Sequence, residues 1–370
     1  MNEKILLANT SFYPSVGGVE NSLRSLSEEF TRRGMDVTVI ASDEGRLPGK
    51  ELLFGAKIYR YKHIPLFGYL ISIALLLLKL KHSSFDLVIS RHLATTFVLL
   101  LLGNKKVKYI APGVYKHQNV GLKDSFLGGL KYYLNCSLER YVLKNTPDIY
   151  VFSNTMESQV GELRATDIKR LFPGVDSSRF HQVSLSVKDE IKREQGIPVD
   201  KKVIFTIGRF VDVKNFSLAI EALKYLDENI VLLLVGDGPL KEDLKVQANK
   251  LGLGNRVIFK SSTPTPELYF KVADVFLLTS TYEPFGQVLL EASASKLPVV
   301  AIDSSIDGVQ TATKEIYNNF GSLVYFTESS TPKDYSFSIN CAIEGSIEDL
   351  HFSLFLERYS WSNIALKLLS

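Results

Sequence analysis

Cysteine is scarce: two occur in 370 residues, Cys136 and Cys341. They lie far apart, so no disulfide framework is expected, and no Cys/His cluster has the spacing of a zinc site. A reducing compartment is expected. Long apolar runs are missing as well. The longest, Tyr69–Leu80, falls short of the ~20 residues that span a bilayer. It and Phe97–Leu102 are expected to be buried core elements. The opening run up to Ala8 is too short for a signal peptide. Charge of one sign is barely in excess, at +3 overall. The basic residues are scattered and carry no nucleic-acid signature, so no nucleic-acid partner is expected.

Hydrophobic residues at 45% and charged residues at 22% give the balance of a folded globular chain. The length suggests two domains. The small net charge hides an asymmetry. Residues 1–170 hold 23 Lys and Arg against 15 Asp and Glu, whereas residues 171–370 hold 20 against 25. A basic N-terminal half suggests an anionic partner, either a membrane surface or a phosphorylated substrate.

The order of elements is alternating. Lys4–Ala8 reads as a strand, Pro14–Gly18 as a turn, and Val19, Leu23, Leu26 and Phe30 recur at helical spacing. Gly34 stops that helix, and Asp36–Ala41 is the next strand. This is β-α-β, the unit of a parallel sheet. Phe85–Ser90, Val107–Ala111 and Ile149–Ser153 continue as strands, while the leucine-rich stretches leave helix and strand unresolved. Near Pro173-Gly174-Val175-Asp176 the pattern breaks, and a polar stretch, Val187–Gly196, follows. It then restarts with Val203–Ile207 (strand), Asn215–Tyr225 (helix), Ile230–Val235 (strand), Leu240–Leu251 (helix) and Val257–Lys260 (strand). Val275–Leu278 and Leu297–Ile302 are further strands flanking a helix at Gly286–Lys296. Two doubly wound α/β domains joined near residue 173 are expected, facing each other across a cleft. In such sheets ligands sit at the carboxyl ends of the strands.

Three segments place suitable chemistry just after a strand. Gly17-Gly18 opens the first helix, where a bare backbone and a helix N-terminus suit an anion, although a plain turn fits equally. Gly208-Arg209 follows Val203–Ile207 with Lys214 close behind, two cations that suit a diphosphate or a solvated surface pair. In Ser280–Ala292, Pro284 and Gly286 mark the entry to a helix carrying Glu291. Glu283 and Glu291 stand eight positions apart, about 12 Å along a helix. Such carboxylates could take hydrogen bonds from two polyol groups, or be one cap residue and one solvated residue.

Together these segments resemble the GT4-type glycosyltransferases of GT-B fold. The resemblance is carried by Glu283–Glu291 (E-x7-E), Gly208-Arg209 with Lys214, Gly17-Gly18, Pro173–Asp176 and the closing Tyr359-Ser360-Trp361, and it covers nearly the whole chain. It implies an N-terminal acceptor-side Rossmann-like domain over 1–172, a nucleotide-sugar-binding one over 173–354, and a C-terminal segment, about 355–370, packing back on the first. It implies a retaining transferase, by front-face displacement, using a UDP- or GDP-linked sugar and no further cofactor. The resemblance assigns Arg209 and Lys214 to the donor diphosphate, Glu283 to hydroxyls of the donor sugar and Glu291 to the ribose hydroxyls. Backbone amides of Phe285, Gly286, Gln287 and Val288 face sugar and phosphate, Gly17 and Gly18 close over the phosphates with Gly208 beside them, and Ser261-Ser262 line the nucleobase pocket. No Asp-x-Asp occurs, which argues against the metal-dependent GT-A class, so no metal site is expected.

The chain departs from the family pattern in places. Pro112-Gly113 stands where many relatives have His-Gly, with His117 four positions late. Lys296 replaces a Gly before Pro-Val-Val, and Ser304–Gly308 replaces a small-residue turn. Glu20 and His117 are further polar groups on the acceptor side. The acceptor implied is a glycan or lipid-linked glycan, as in bacterial surface-polysaccharide assembly. The protein would then be cytoplasmic, with peripheral contact to an anionic membrane. The alternatives are a non-catalytic sugar-nucleotide binder and a sugar-nucleotide epimerase.

Overall fold

The computed structural model describes residues 2–15, 17–65, 68–118, 126–164, 167–283, 285–306 and 308–370; the side chains of 117, 118, 126 and 127 are outside that description. The chain divides into two units, Met1–Gly174 with Trp361–Ser370, and Val175–Ser360.

Unit 1 is built on eight strands: β1 (Lys4–Ala8), β2 (Asp36–Ser42), β3 (Lys50–Leu53), β4 (Ala56–Tyr61), β5 (Leu87–Ser90), β6 (Val107–Ile110), β7 (Asp148–Val151) and β8 (Ile168–Arg170). Their spatial order is β3-β4-β2-β1-β5-β6-β7-β8. All pairs are parallel except β3 with β4. The central strands are buried almost end to end, which is why KILLA and LVIS read as continuous apolar runs rather than alternating ones. The β3–β4 hairpin turns at Phe54-Gly55, both with positive φ. Gly55 is required there twice over, because a Cβ would also lie 2.6 Å from the Thr31 side chain.

Unit 2 has β9 (Lys202–Ile207), β10 (Ile230–Val235), β11 (Val257–Lys260), β12 (Val275–Leu278), β14 (Val299–Ile302) and β16 (Val324–Thr327) in one sheet, ordered β11-β10-β9-β12-β14-β16 and wholly parallel. A two-residue pair, β13 (Tyr282–Glu283) with β15 (Gln310–Thr311), stands apart. Its core runs from Phe210 and Ile220 through Leu232 and Leu277 to Tyr335 and Ile339. In both units the strand order reverses once, between β1 and β5 and between β9 and β12. In sheets of this kind ligands sit at the carboxyl ends of the strands beside such a reversal.

The chain's two passes between units run side by side. Val175 N–H donates to Tyr359 O at 2.8 Å, and Val175 bridges to Ser360. A Cβ on Gly174 would lie 2.4 Å from the backbone nitrogen of Trp361, so no other residue fits that crossing. The segment expected to pack back, 355–370, is therefore split. Helix Asp349–Arg358 stays in unit 2, with the Phe355 ring 4.6 Å from that of Tyr359. Helix Trp361–Leu369 belongs to unit 1, where Ser362 Oγ accepts from Arg33 Nη2 at 2.7 Å. The boundary itself falls after Gly174 rather than after residue 172.

One stretch left unassigned takes form, and one local expectation fails. The polar stretch Val187–Gly196 is mostly a helix, Leu185–Glu194, capped by Ser184, whose Oγ accepts from Val187 N–H. Its single apolar stripe is too thin to stand out by periodicity. Tyr69–Leu80 is a helix, Gly68–Lys79, but not a buried one. Ile73 and Leu77 enter the core, while Ile71, Leu75 and Leu78 are 64%, 63% and 54% exposed. An unbroken leucine run hides which face packs inward.

Candidate functional site

The site in unit 2 starts with a loop that glycine makes possible. After β9, Gly208 N–H donates to Val235 O at 3.0 Å, and the chain lies against the turn that follows β10. Gly236 there has φ +146°, and a Cβ on it would sit 1.9 Å from Gly208 O. Phe210 then drops into the core, its ring edge-on to Phe216 at 5.2 Å, while its N–H donates to Asp237 O at 3.0 Å. With both neighbours held inward, Arg209 is turned out: its side chain is exposed and makes no hydrogen bond or ion pair among the described residues.

Lys214 closes the same loop in a short 3-10 turn, Asp212–Lys214, followed by Asn215 at φ +48°. The loop after β12 is tied to it by backbone geometry. Thr279 Oγ1 donates to Lys214 O at 2.8 Å, and Thr281 N–H donates to Val213 O at 2.9 Å. Those ties bring Lys214 Nζ onto Glu283 Oε2, a half-buried charge-assisted bond. Glu283 is held from the other side too. β13 pairs with β15, and Ala312 N–H donates to Glu283 O at 3.1 Å. Thus Lys214 and Glu283 meet at the carboxyl ends of β9 and β12, where the strand order reverses, and Arg209 stands in the same β9 loop with its side chain turned outward.

Pro284 lies outside the described residues. Beyond it, Phe285 and Gly286 are buried, and Gln287 and Val288 begin helix Gln287–Ala294. Gly286 stands at φ +80°, and a Cβ there would lie 2.9 Å from Glu283 Cγ. The helix start therefore lies beside Glu283, and a helix N-terminus suits an anion.

Glu291 differs from the solvated helical residue that its spacing also allowed. It is 7% exposed, on the inner face of that helix. Burial pushes its carboxyl up to about 8, against the pull of the Arg179 guanidinium and with the added push of Glu267. Those two pair with each other at 2.7 Å. At neutral pH Glu291 is thus a carboxylic acid with one O–H to donate and one oxygen to accept.

Ser261 and Ser262 follow β11, at the sheet edge. A set missed in the sequence fixes them. Asp237 Oδ2 accepts from Ser262 N–H at 2.7 Å and from its Oγ at 2.9 Å, and Lys241 Nζ bonds Asp237 Oδ1 at 2.6 Å and Ser261 Oγ at 3.2 Å. The Lys241 ammonium, then Ser262, hold the Asp237 carboxyl down at about 2. The Gly-Asp-Gly-Pro turn after β10 is the signal that could have found them.

In unit 1, Gly17 caps helix Gly18–Arg32 without a side-chain bond. A Cβ on Gly18 would meet nothing within 4 Å, so the fold leaves its approach open. Glu20 lies in the first turn of that helix, half-buried. Pro112 is exposed and Gly113 buried after β6, and the His117 side chain lies outside the described residues.

Two doubly wound α/β units, each with one reversal of strand order, match the GT-B fold. HepE of Anabaena, solved with UDP-glucose, superimposes with a TM-score of 0.73 at 19% identity, over 99% of this chain and 98% of that one. The model for Glycosyltransferase Family 4 matches residues 16–179, and that for Glycosyl transferases group 1 matches residues 187–324. A glycosyltransferase of Methanocaldococcus jannaschii is 26% identical, over 98% of this chain and 96% of its own. Alpha-monoglucosyldiacylglycerol synthase of Streptococcus pneumoniae is 25% identical, over 80% of this chain and 70% of its own. The chain belongs to the group 1 glycosyltransferases, of the GT4 type.

Proposed function

We propose that this glycosyltransferase moves a sugar, with retention of anomeric configuration, from a UDP- or GDP-linked donor to a glycan or lipid-linked acceptor in bacterial surface-polysaccharide synthesis. The observation that carries the reading is the Arg209, Lys214 and Glu283 set at the β9/β12 reversal. As the anomeric bond breaks, charge grows on the leaving nucleotide diphosphate. The free guanidinium of Arg209 and the Lys214 ammonium stabilise it, with the start of helix Gln287–Ala294 adding its partial positive charge. These fixed cations supply what a metal supplies elsewhere, so turnover is metal-independent. Glu283 holds hydroxyls of the donor sugar, its bond to Lys214 keeping both groups in register before the donor arrives. Glu291, as an acid, donates to one ribose oxygen and accepts from the other. Gly208, Phe285, Gly286, Gln287 and Val288 offer backbone at sugar and phosphate, Ser261 lines the nucleobase pocket, and Gly17 and Gly18 offer amides to a phosphate.

The acceptor side is peripheral on a membrane in this reading, at the inner face of the cell membrane. Support comes from Ile71, Leu75 and Leu78, exposed on one stripe of helix Gly68–Lys79. A second stripe, Leu130, Tyr133, Leu134 and Tyr141, is exposed on helix Phe126–Asn145. Exposed Lys79, Lys81, Lys131 and Arg140 flank them. Apolar stripes with basic margins suit an anionic leaflet. Among the described residues, no helix is long and apolar enough to cross a membrane.

The test is a donor screen on the full chain, with bacterial lipid extract as acceptor. Nucleotide released with extract, and not without it, supports transfer. Nucleotide-sugar binding with no release under any extract would leave a binder instead.

A further inference from the structure

Arg91 follows β5, beside β1, at the reversal of strand order in unit 1. Its N–H donates to Ala8 O at 3.0 Å, so the backbone continues the sheet while the side chain turns into the interior. The residue is 4% exposed. Nη1 donates to Ser22 Oγ, which in turn donates to Val19 O at 2.8 Å and so has nothing further to give. The guanidinium carbon lies 4.9 Å from the centroid of the Phe152 ring, a face that holds a cation without neutralising it. Nε is buried and has no hydrogen-bond partner among the described residues. Among the described residues no carboxylate pairs with the group. Glu20 is near enough for its charge to be felt, but forms no ion pair with it.

An arginine does not shed its proton at neutral pH, so this charge stays in place. Among the described residues it is a buried cation with a spare donor and no counter-ion, a costly arrangement that calls for an explanation. Structural duty accounts for one donor only, on Ser22. The donor's two phosphates already have Arg209 and Lys214. We propose that Arg91, seated on Ser22 and Phe152, binds an oxyanion of the acceptor, a phosphate or a carboxylate, so that this enzyme acts on an acidic acceptor. The proposal rests on the transferase reading, with unit 1 as the acceptor side. A planar guanidinium can present two parallel donors to such a group, which sets its orientation as well as holding it.

The experiment is calorimetry on the full chain, saturated with UDP or GDP, whichever binds. Inorganic phosphate and glucuronate are the two anionic probes, and methyl glucoside is the neutral one. Wild type should bind at least one anion, and the one that binds says whether phosphate or carboxylate is the natural group. Arg91→Gln should weaken that binding roughly tenfold to a hundredfold, and Arg91→Lys less. Methyl glucoside and nucleotide affinities should not change. A merely structural arginine would shift all probes together or none. The proposal is overturned if neither anion binds wild type, or if Arg91→Gln binds them equally well. Should Arg91→Gln not fold, the Arg91 Nε–H resonance of wild type, assigned from Arg91→Lys, must move with one of the anions; a resonance unmoved by both also overturns it. If neither UDP nor GDP binds wild type, the transferase reading fails, and the anion titrations are then read on the nucleotide-free chain.

Discussion

The two units share a sheet plan and differ in how they treat polar groups at its carboxyl edge. In unit 2 the loops are tied to one another. Lys214 is on Glu283, Lys241 is on Asp237, Asp237 is on Ser262, and backbone bonds join the loops after β9 and β12. Arg209 alone of this set reaches outward. In unit 1 the loops after β1 and β2 are tied as well, with Ser15 Oγ donating to Glu44 Oε1 at 2.7 Å and Arg60 Nη2 of β4 to Tyr13 O at 2.5 Å, yet some groups are left uncommitted. Gly18 faces empty space, Arg91 keeps an unused donor, and two helices show apolar stripes to the surroundings. A rigid edge suits a ligand whose parts never vary, such as a nucleotide diphosphate. The difference teaches that these unit 2 loops spend their polar groups on one another, whereas among the described residues unit 1 leaves a spare donor on Arg91.

The comparison can be broken where unit 2 is most committed. Arg209→Ala and Lys214→Ala should each lower turnover on the order of 10²–10³-fold while leaving the melting temperature nearly unchanged, since neither packs in the core. Steady-state rates within threefold of wild type for both would remove them from the site. Next in size is Gly236→Ala. A Cβ 1.9 Å from Gly208 O cannot be accommodated without moving the β9 loop. Urea unfolding should show a loss on the order of 3 kcal/mol, and Lys214 would lose its placement with it. The same substitution at Gly18 should cost well under 1 kcal/mol, since its Cβ meets open space; equal losses at the two positions would contradict the contrast.

Glu291 sharpens it further. Its folded pKa, about 8, lies above the usual carboxyl value of 4.5. Between those pH values the folded chain keeps a proton that the unfolded chain has lost. Stability contributed by this group is therefore full below about 4.5 and falls as pH rises towards about 8, by up to about 1.4 kcal/mol per pH unit. Glu291→Gln should flatten that slope in urea midpoints measured across the range. An unchanged slope would mean that Glu291 is ionised in the fold. The smallest effect belongs to unit 1. Changing Ile71, Leu75 and Leu78 together to Ser should weaken sedimentation with anionic vesicles severalfold without lowering the melting temperature, because those side chains are outside the core.

Much of this was legible in the sequence, and the reasons it was not elsewhere are specific. Short apolar strands between amphipathic helices gave the two parallel sheets, since buried parallel strands have no competing pattern. That Arg209, Lys214 and Glu283 follow strands was legible because β9 and β12 read as short apolar runs, while their assignment to a donor came from the family resemblance alone. The β3–β4 hairpin was missed because its turn is Phe-Gly, not Asn-Gly, and its need for glycine comes from Thr31, distant in sequence. The face of helix Gly68–Lys79 was hidden by a run of leucines that has no period. Arg91 was passed over as one more scattered cation, since its burial, and the lack of a counter-ion among the described residues, are tertiary facts. Glu291 was found by spacing, but its acid form depends on Glu267 and on burial, which spacing does not carry.

The central claim is that protein cations in unit 2, without metal, hold a nucleotide diphosphate. Calorimetric titration of UDP and of GDP in excess EDTA, into wild type and into the Arg209→Ala/Lys214→Ala double variant, tests it most directly. The account predicts that wild type binds one of them with EDTA present and that the double variant loses at least a hundredfold in affinity, about 2.7 kcal/mol. Binding that appears only after Mg²⁺ or Mn²⁺ is restored, or that survives in the double variant, would contradict it.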